Sequence, residues 1–195
     1  MSSTQTMIFL NLFLACIARV GTCYSYLTTA MSLVLRIGLH QSIFQGDGFI
    51  ARETGRRVFW VLRLLCNTMA TACIMPKFLN DEDCDQEMPL EVDDTDIEKT
   101  RVLIKSNKTF CLTAGSNTYI RLYMMVEQVI RHIYPVQGIK GGSGKGSPSY
   151  KINLAKVEKL ESELRHWKAS IPIGYTIERD KASANYLGYT FRTFH

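Results

Sequence analysis

Histidines, cysteines and clustered carboxylates are the residues in this 195-residue chain whose types could do chemistry. The four histidines, His40, His132, His166 and His195, never form an H-E-x-x-H pair, so the two ligands on one helical face that a zinc protease needs are absent. No G-x-S-x-G elbow exposes a serine. The cysteines stand at 16, 23, 66, 73, 84 and 111, with no C-x2-C pair among them, which speaks against a zinc site or a thioredoxin-like pair. Cys16/Cys23 and Cys66/Cys73 are each seven apart, a spacing that places each pair on one face of a helix. They read as buried free thiols of an intracellular protein.

Two loop motifs fail on inspection. "GGSGKGS" has the Gly-Lys of a phosphate loop at Gly144-Lys145, but Ile139 stands where the first glycine belongs and Gly146 where Ser or Thr should follow. "DEDCDQ" offers Asp81, Asp83 and Asp85 at calcium-loop spacing, but Gln86 replaces the turn glycine and Val92 the bidentate Glu. No catalytic, cofactor or metal residue is therefore assigned.

The elements that must carry these residues are helical. Apolar periodicity near 3.6 dominates, and the expected fold is all-α. One helix is expected over about 5–18, ended by Gly21-Thr22, and a second over about 24–39 with Leu27, Met31, Val34 and Gly38 on one stripe. Gly38 sits where a glycine closes a helix without a Cβ clash. A third helix opens near Arg52 with Val58, Leu62, Leu65, Cys66, Met69 and Cys73 along one side, and stops before Pro76. A fourth spans about 117–134, with Leu122, Met125, Val129 and Ile133 in register. A fifth spans about 153–169, with Val157, Leu160, Leu164 and Trp167 on one face. The stretch at about 138–149 reads as a flexible linker, and the apolar end, "NYLGYTFRTFH", as the start of a helix with its continuation missing.

Charge is uneven. The net formal charge is +5, yet the stretch at about 81–98 holds ten of the eighteen acidic residues and reads as a solvated loop. Arg56-Arg57 opens an apolar helix. A salt bridge from this pair to Asp81, Asp83 or Asp85 would tether the acidic stretch, whereas two arginines alone are a weak footprint for nucleic acid. The uncharged "MIFLNLFLACIA" lacks a basic leader and is too short for a bilayer, which needs about 20 residues, so it reads as a buried helix. The sequon Asn107-Lys108-Thr109 would matter only in a secreted chain.

"CYSYLTTAMSLVLRIGLHQS", then "RETGRRVFWVLRLLCNTMATACIMPKFLNDEDCDQEMPLEVDD", then "KVEKLESELRHWKASIP" together resemble the middle homology region, or xylanolytic-activator-type regulatory domain, of fungal zinc binuclear cluster transcription factors. The resemblance covers about residues 5–195. Gly38, Leu39 and His40 match its Gly-Leu-His. Glu53, Arg56, Arg57, Phe59 and Trp60 match its E-x-x-R-R-x-[FW]-W. Pro76 matches its helix-ending proline. Asp81, Asp83, Asp85 and Pro89 match D-x-D-x-D-x-x-x-P, and Trp167 with Pro172 matches a later helix end. The sequence departs at Ile74, where the family has Gly, and at Gly55, where Arg is common and where glycine inside a helix costs about 1 kcal/mol.

The resemblance implies a regulatory module of about residues 1–195, cut short at its C-terminus, that acts in the nucleus on transcription by RNA polymerase II. It implies that DNA and zinc are bound through an N-terminal six-cysteine cluster that these cysteines cannot supply, so the chain itself holds no cofactor. Its partners would be co-regulators or a second copy, with no membrane involved. His40 would follow a helix C-terminus and face its dipole rather than catalyse. Any effector pocket is expected between the second and third helices. The alternative is an all-α enzyme whose site the fold assembles, which predicts a pocket with a titratable residue of shifted pKa.

Overall fold

The computed structural model describes residues 2–43, 48–73, 75–92, 94, 97, 111–133 and 154–175. They form five helices: α1 (Ser2–Cys16), α2 (Val20–Ile37), α3 (Phe49–Ala72), α4 (Leu112–Ile133) and α5 (Leu154–Ala169). Short 3-10 turns lie at Asp81–Asp83 and Ile173–Tyr175. The all-α expectation holds. The linker at 138–149, the sequon at 107–109, Pro135, His195 and the apolar C-terminal stretch lie outside the described residues.

The break between the first two helices is not where glycine would put it. Gly21 and Thr22 lie inside α2, and the chain turns at Ala18, whose φ is 55°. Its N–H donates to Ala15 O at 3.1 Å and the next N–H, of Arg19, to Leu14 O at 3.0 Å. The same pair of bonds closes α2, where Gly38 at φ 83° donates to Leu35 O and Leu39 to Val34 O, both at 3.1 Å. Both ends are Schellman stops. Only one uses the residue that reaches this conformation without a steric penalty. The earlier break also separates Cys16, exposed at the end of α1, from Cys23, buried in α2.

Helices pack on their chain neighbours, α1 on α2, α2 on α3 and α4 on α5, with a smaller contact of α3 with α4; the buried core lies among α1, α2 and α3 with Ile120 of α4. α2 contributes Cys23, Leu27, Ala30, Met31 and Val34. α3 answers with Val58, Phe59, Leu62 and Cys66, and Phe59 and Leu62 are wholly buried. Burial pushes the Cys66 thiol up to about 12 and also raises that of Cys23, whose S–H donates to Asn11 Oδ1 at 2.9 Å. Both thiols are thereby unreactive packing groups.

The inner face of α4 differs from its apolar register. Its buried residues are Ala114, Asn117, Thr118, Ile120 and Glu127, while Leu122, Met125 and Val129 are half-buried. Polar side chains turn inward because they have partners there. α5 buries no residue, and Leu164, expected on its inner face, is exposed.

Candidate functional site

Helical spacing puts Glu53, Arg56, Arg57, Trp60 and Arg63 on one ridge of α3, beside the apolar stripe that enters the core. Residues 79–92 and 94 run along this ridge, and the acidic stretch is pinned there while its described carboxylates stay exposed to solvent, as expected of a solvated loop. Glu53 is the hub. Its side chain is 3% exposed. Oε1 accepts from Arg57 Nε at 3.1 Å and from the backbone N–H of Leu90 at 3.0 Å, while Oε2 lies 3.6 Å from Arg56. Arg56 reaches on to Glu87 and Arg57 to Asp94. Burial alone would lower the pKa of Arg57, but the hydrogen bonds to Asp94 and Glu53 outweigh it and raise it.

The arginine pair thus tethers the acidic stretch, but not through the expected aspartates. Asp81 pairs with Arg63 and lies 3.9 Å from Lys77 and 3.7 Å from Arg131. Asp83 accepts from the side-chain amide of Asn80 at 3.1 Å. Asp85 accepts from Ser42 twice, from the hydroxyl at 2.7 Å and the backbone N–H at 2.8 Å. Those bonds, the hydroxyl's first, hold the Asp85 carboxyl below its ordinary value, with a smaller contribution from His40. Arg56 and Arg57 meet the chain beyond these aspartates, at Glu87, two residues after Asp85, and at Asp94, nine after it.

Trp60 and Arg63 complete the ridge. The indole N–H of Trp60 donates to Glu87 O at 2.8 Å. The Arg63 guanidinium lies 5.1 Å from the centre of the Trp60 ring, so a nearly buried cation has an aromatic face as well as Asp81. Gly38 ends α2, and His40 lies just beyond it. Its carbonyl accepts from Gln86 N–H at 3.2 Å, and its ring Nδ1 is buried without a hydrogen-bond partner. Pro76 is exposed after α3 and Pro89 is buried. The Pro89 carbonyl accepts from Asn117 at 2.8 Å, which ties the stretch to α4. Trp167 lies apart, on α5, donating to Thr118 O at 2.9 Å.

Several members of this network carried no signal in the sequence. Gln86, 7% exposed, donates to Leu39 O at 2.9 Å and Gln41 O at 3.0 Å, joining the stretch to the end of α2. Buried Glu127 of α4 pairs with Lys77. Glu91 accepts from Arg121 and Asn117, both at 3.2 Å.

The chemistry of the ridge is ion pairing and hydrogen bonding to backbone. The cavity beside it lies between α3 and α4, not between α2 and α3. It is lined by Trp60, Arg63, Asn67, Ile120 and Met124 among others, and its volume of about 10 Å³ fits about one water. An open depression of about 430 Å³ lies at Gln41, Ile43 and Glu82 to Asp85. Among the described residues no three His, Cys, Asp or Glu side chains are grouped to hold a metal ion, and no helix is long and apolar enough to cross a membrane.

The described residues are thus an all-α domain marked by a charged ridge and the segment it holds. Its sequence matches the fungal specific transcription factor domain over residues 1–169, and the chain belongs to that family. It is 29% identical to Activator of stress genes 1 of Saccharomyces cerevisiae over 175 residues, 88% of this chain and 17% of that protein. It is 28% identical to Activator of stress genes protein 1 of Candida albicans over 182 residues, 88% of this chain and 18% of that one. An ABC-transporter-regulating transcription factor of Aspergillus oryzae is 28% identical over 186 residues, 93% of this chain and 19% of that protein. The chain spans less than a fifth of the length of these curated relatives. No solved structure matches it.

Proposed function

We propose that this chain is the regulatory domain through which a fungal transcription factor tunes transcription by RNA polymerase II in the nucleus, acting by contact rather than catalysis. The family match over residues 1–169 carries the reading. The ridge on α3 supports it, because its ion pairs and backbone hydrogen bonds fix the shape of a surface segment. DNA and zinc would be engaged by a cluster outside these residues, and co-regulators would meet the domain's surface. The acidic stretch, fixed by Glu53, Arg56 and Arg57, is the part whose release would change that surface most.

A reporter driven by a heterologous DNA-binding domain and activation region tests this, with and without the chain fused between them, in a fungal cell. The reading expects the chain to alter reporter output and Glu53→Ala, at equal protein level, to abolish the change. Output that ignores the chain would contradict it.

A further inference from the structure

α1 is built inside out. Its buried row is Thr4, Ile8, Asn11 and Leu14, two of them polar, with Asn11 satisfied by Met7 O and the Cys23 thiol. Its outward row is Phe9, 72% exposed, Phe13, 60% exposed, Leu12 and exposed Cys16, continued at the corner by Ile17 and Val20. A surface helix ordinarily shows the reverse arrangement.

We infer that this face is a self-association surface, on which a second copy of the chain seats its own α1. Three observations select that occupant. No charged side chain lies between Ser2 and Ala18, and the exposed Arg19 stands only at the corner between Ile17 and Val20, so Phe9, Leu12 and Phe13 of two copies meet without like-charge contact although each chain carries a formal charge of +5. A charged partner, conversely, would find nothing to pair with. Phe9, Leu12, Phe13 and Cys16 follow three- and four-residue steps, the spacing with which helices interlock, and a two-fold axis makes such a face its own complement. The outward apolar side chains expose on the order of 500 Å², most of the ~800 Å² per partner of a stable interface.

Sedimentation equilibrium of the 195-residue chain across about 1–100 μM, the range a micromolar constant spans, is the test. The expected result is a closed monomer–dimer equilibrium between 22.2 kDa and twice that mass. Phe9→Ser with Phe13→Ser should raise the dissociation constant at least about tenfold, as loss of central aromatic anchors does, while Phe13→Leu keeps the dimer. Thermal melts of the variants check folding, and if the double variant melts early, Phe13→Lys alone replaces it, since this side chain faces outward. A wild-type monomer throughout would overturn the inference, as would a dimer indifferent to both positions or a mass rising without limit. A monomer that instead floats with phosphatidylcholine vesicles would overturn it in favour of a lipid surface.

Discussion

The α2–α3 half and the α4–α5 half are held together by different means. In the first, two helices share an apolar core of Leu27, Met31, Val34, Phe59 and Leu62, and a ridge of alternating charge ties the acidic stretch across α3. In the second, α5 buries nothing and is attached to α4 by aromatic donors on backbone carbonyls. Trp167 donates to Thr118 O, and just past α5 the Tyr175 hydroxyl donates to Cys111 O at 2.6 Å. A Cβ added at Gly115 would stand 2.4 Å from the Tyr175 ring, so the ring occupies the space that this glycine leaves open. Apolar burial is cooperative and global, whereas single hydrogen bonds are worth about 1 kcal/mol and release locally. The two halves should therefore fail differently.

Phe59→Ala should break the first half most severely. The side chain is wholly buried, and its truncation should lower unfolding free energy by about 3–5 kcal/mol in a urea titration. Glu53→Ala should come next. It strips the hub from Arg56, Arg57 and the Leu90 amide. Breaking a fully buried pair costs about 3–5 kcal/mol, and the 28% exposure of the Arg57 side chain brings the expectation to roughly 2–3 kcal/mol in the same titration. Trp167→Phe should cost about 1 kcal/mol, and hydrogen exchange should quicken in α5 while α3 stays protected. Uniform quickening would erase the contrast between the halves.

The smallest effect is set by pH. Bonds from Ser42 lower the folded pKa of Asp85, so its contribution is present above the ordinary value of 3.8 and is lost as pH falls through the lowered one. NMR titration of its carboxyl carbon should show that midpoint below 3.8, and Ser42→Ala should return it upward.

Parts of this architecture were legible in the sequence for definite reasons. Gly38 announced a helix end because glycine alone takes φ 83° freely. The register of α2 was legible because its buried side is uniformly apolar. Ala18 gave no such notice, since an alanine in the left-handed region is set by the packing around it. α1 has apolar residues on every side, and its phase could not be read until Thr4 and Asn11 were seen to face inward. α4 misled for the related reason that Asn117 and Glu127 are buried against partners distant in sequence, Pro89 and Lys77.

The ridge lies between these cases. Arg56 and Arg57 declared by their sign that they would meet the acidic stretch. The residues they meet, Glu87 and Asp94 rather than Asp81, Asp83 or Asp85, depend on the path of an aperiodic segment, and no periodicity encodes that path. Gln86 is the extreme instance. Nothing in its neighbourhood marks it, yet it binds two carbonyls at the end of α2.

Amide hydrogen exchange at Leu90, in the native protein and in Glu53→Ala, tests the clamp most directly. The Leu90 N–H points at Glu53 Oε1 in the midst of an acidic loop. Slow exchange in the native chain that becomes fast in Glu53→Ala, with Phe59 still protected in both, is the result the account predicts. Fast exchange at Leu90 in the native chain would mean that the acidic stretch is not held on α3, and would contradict it.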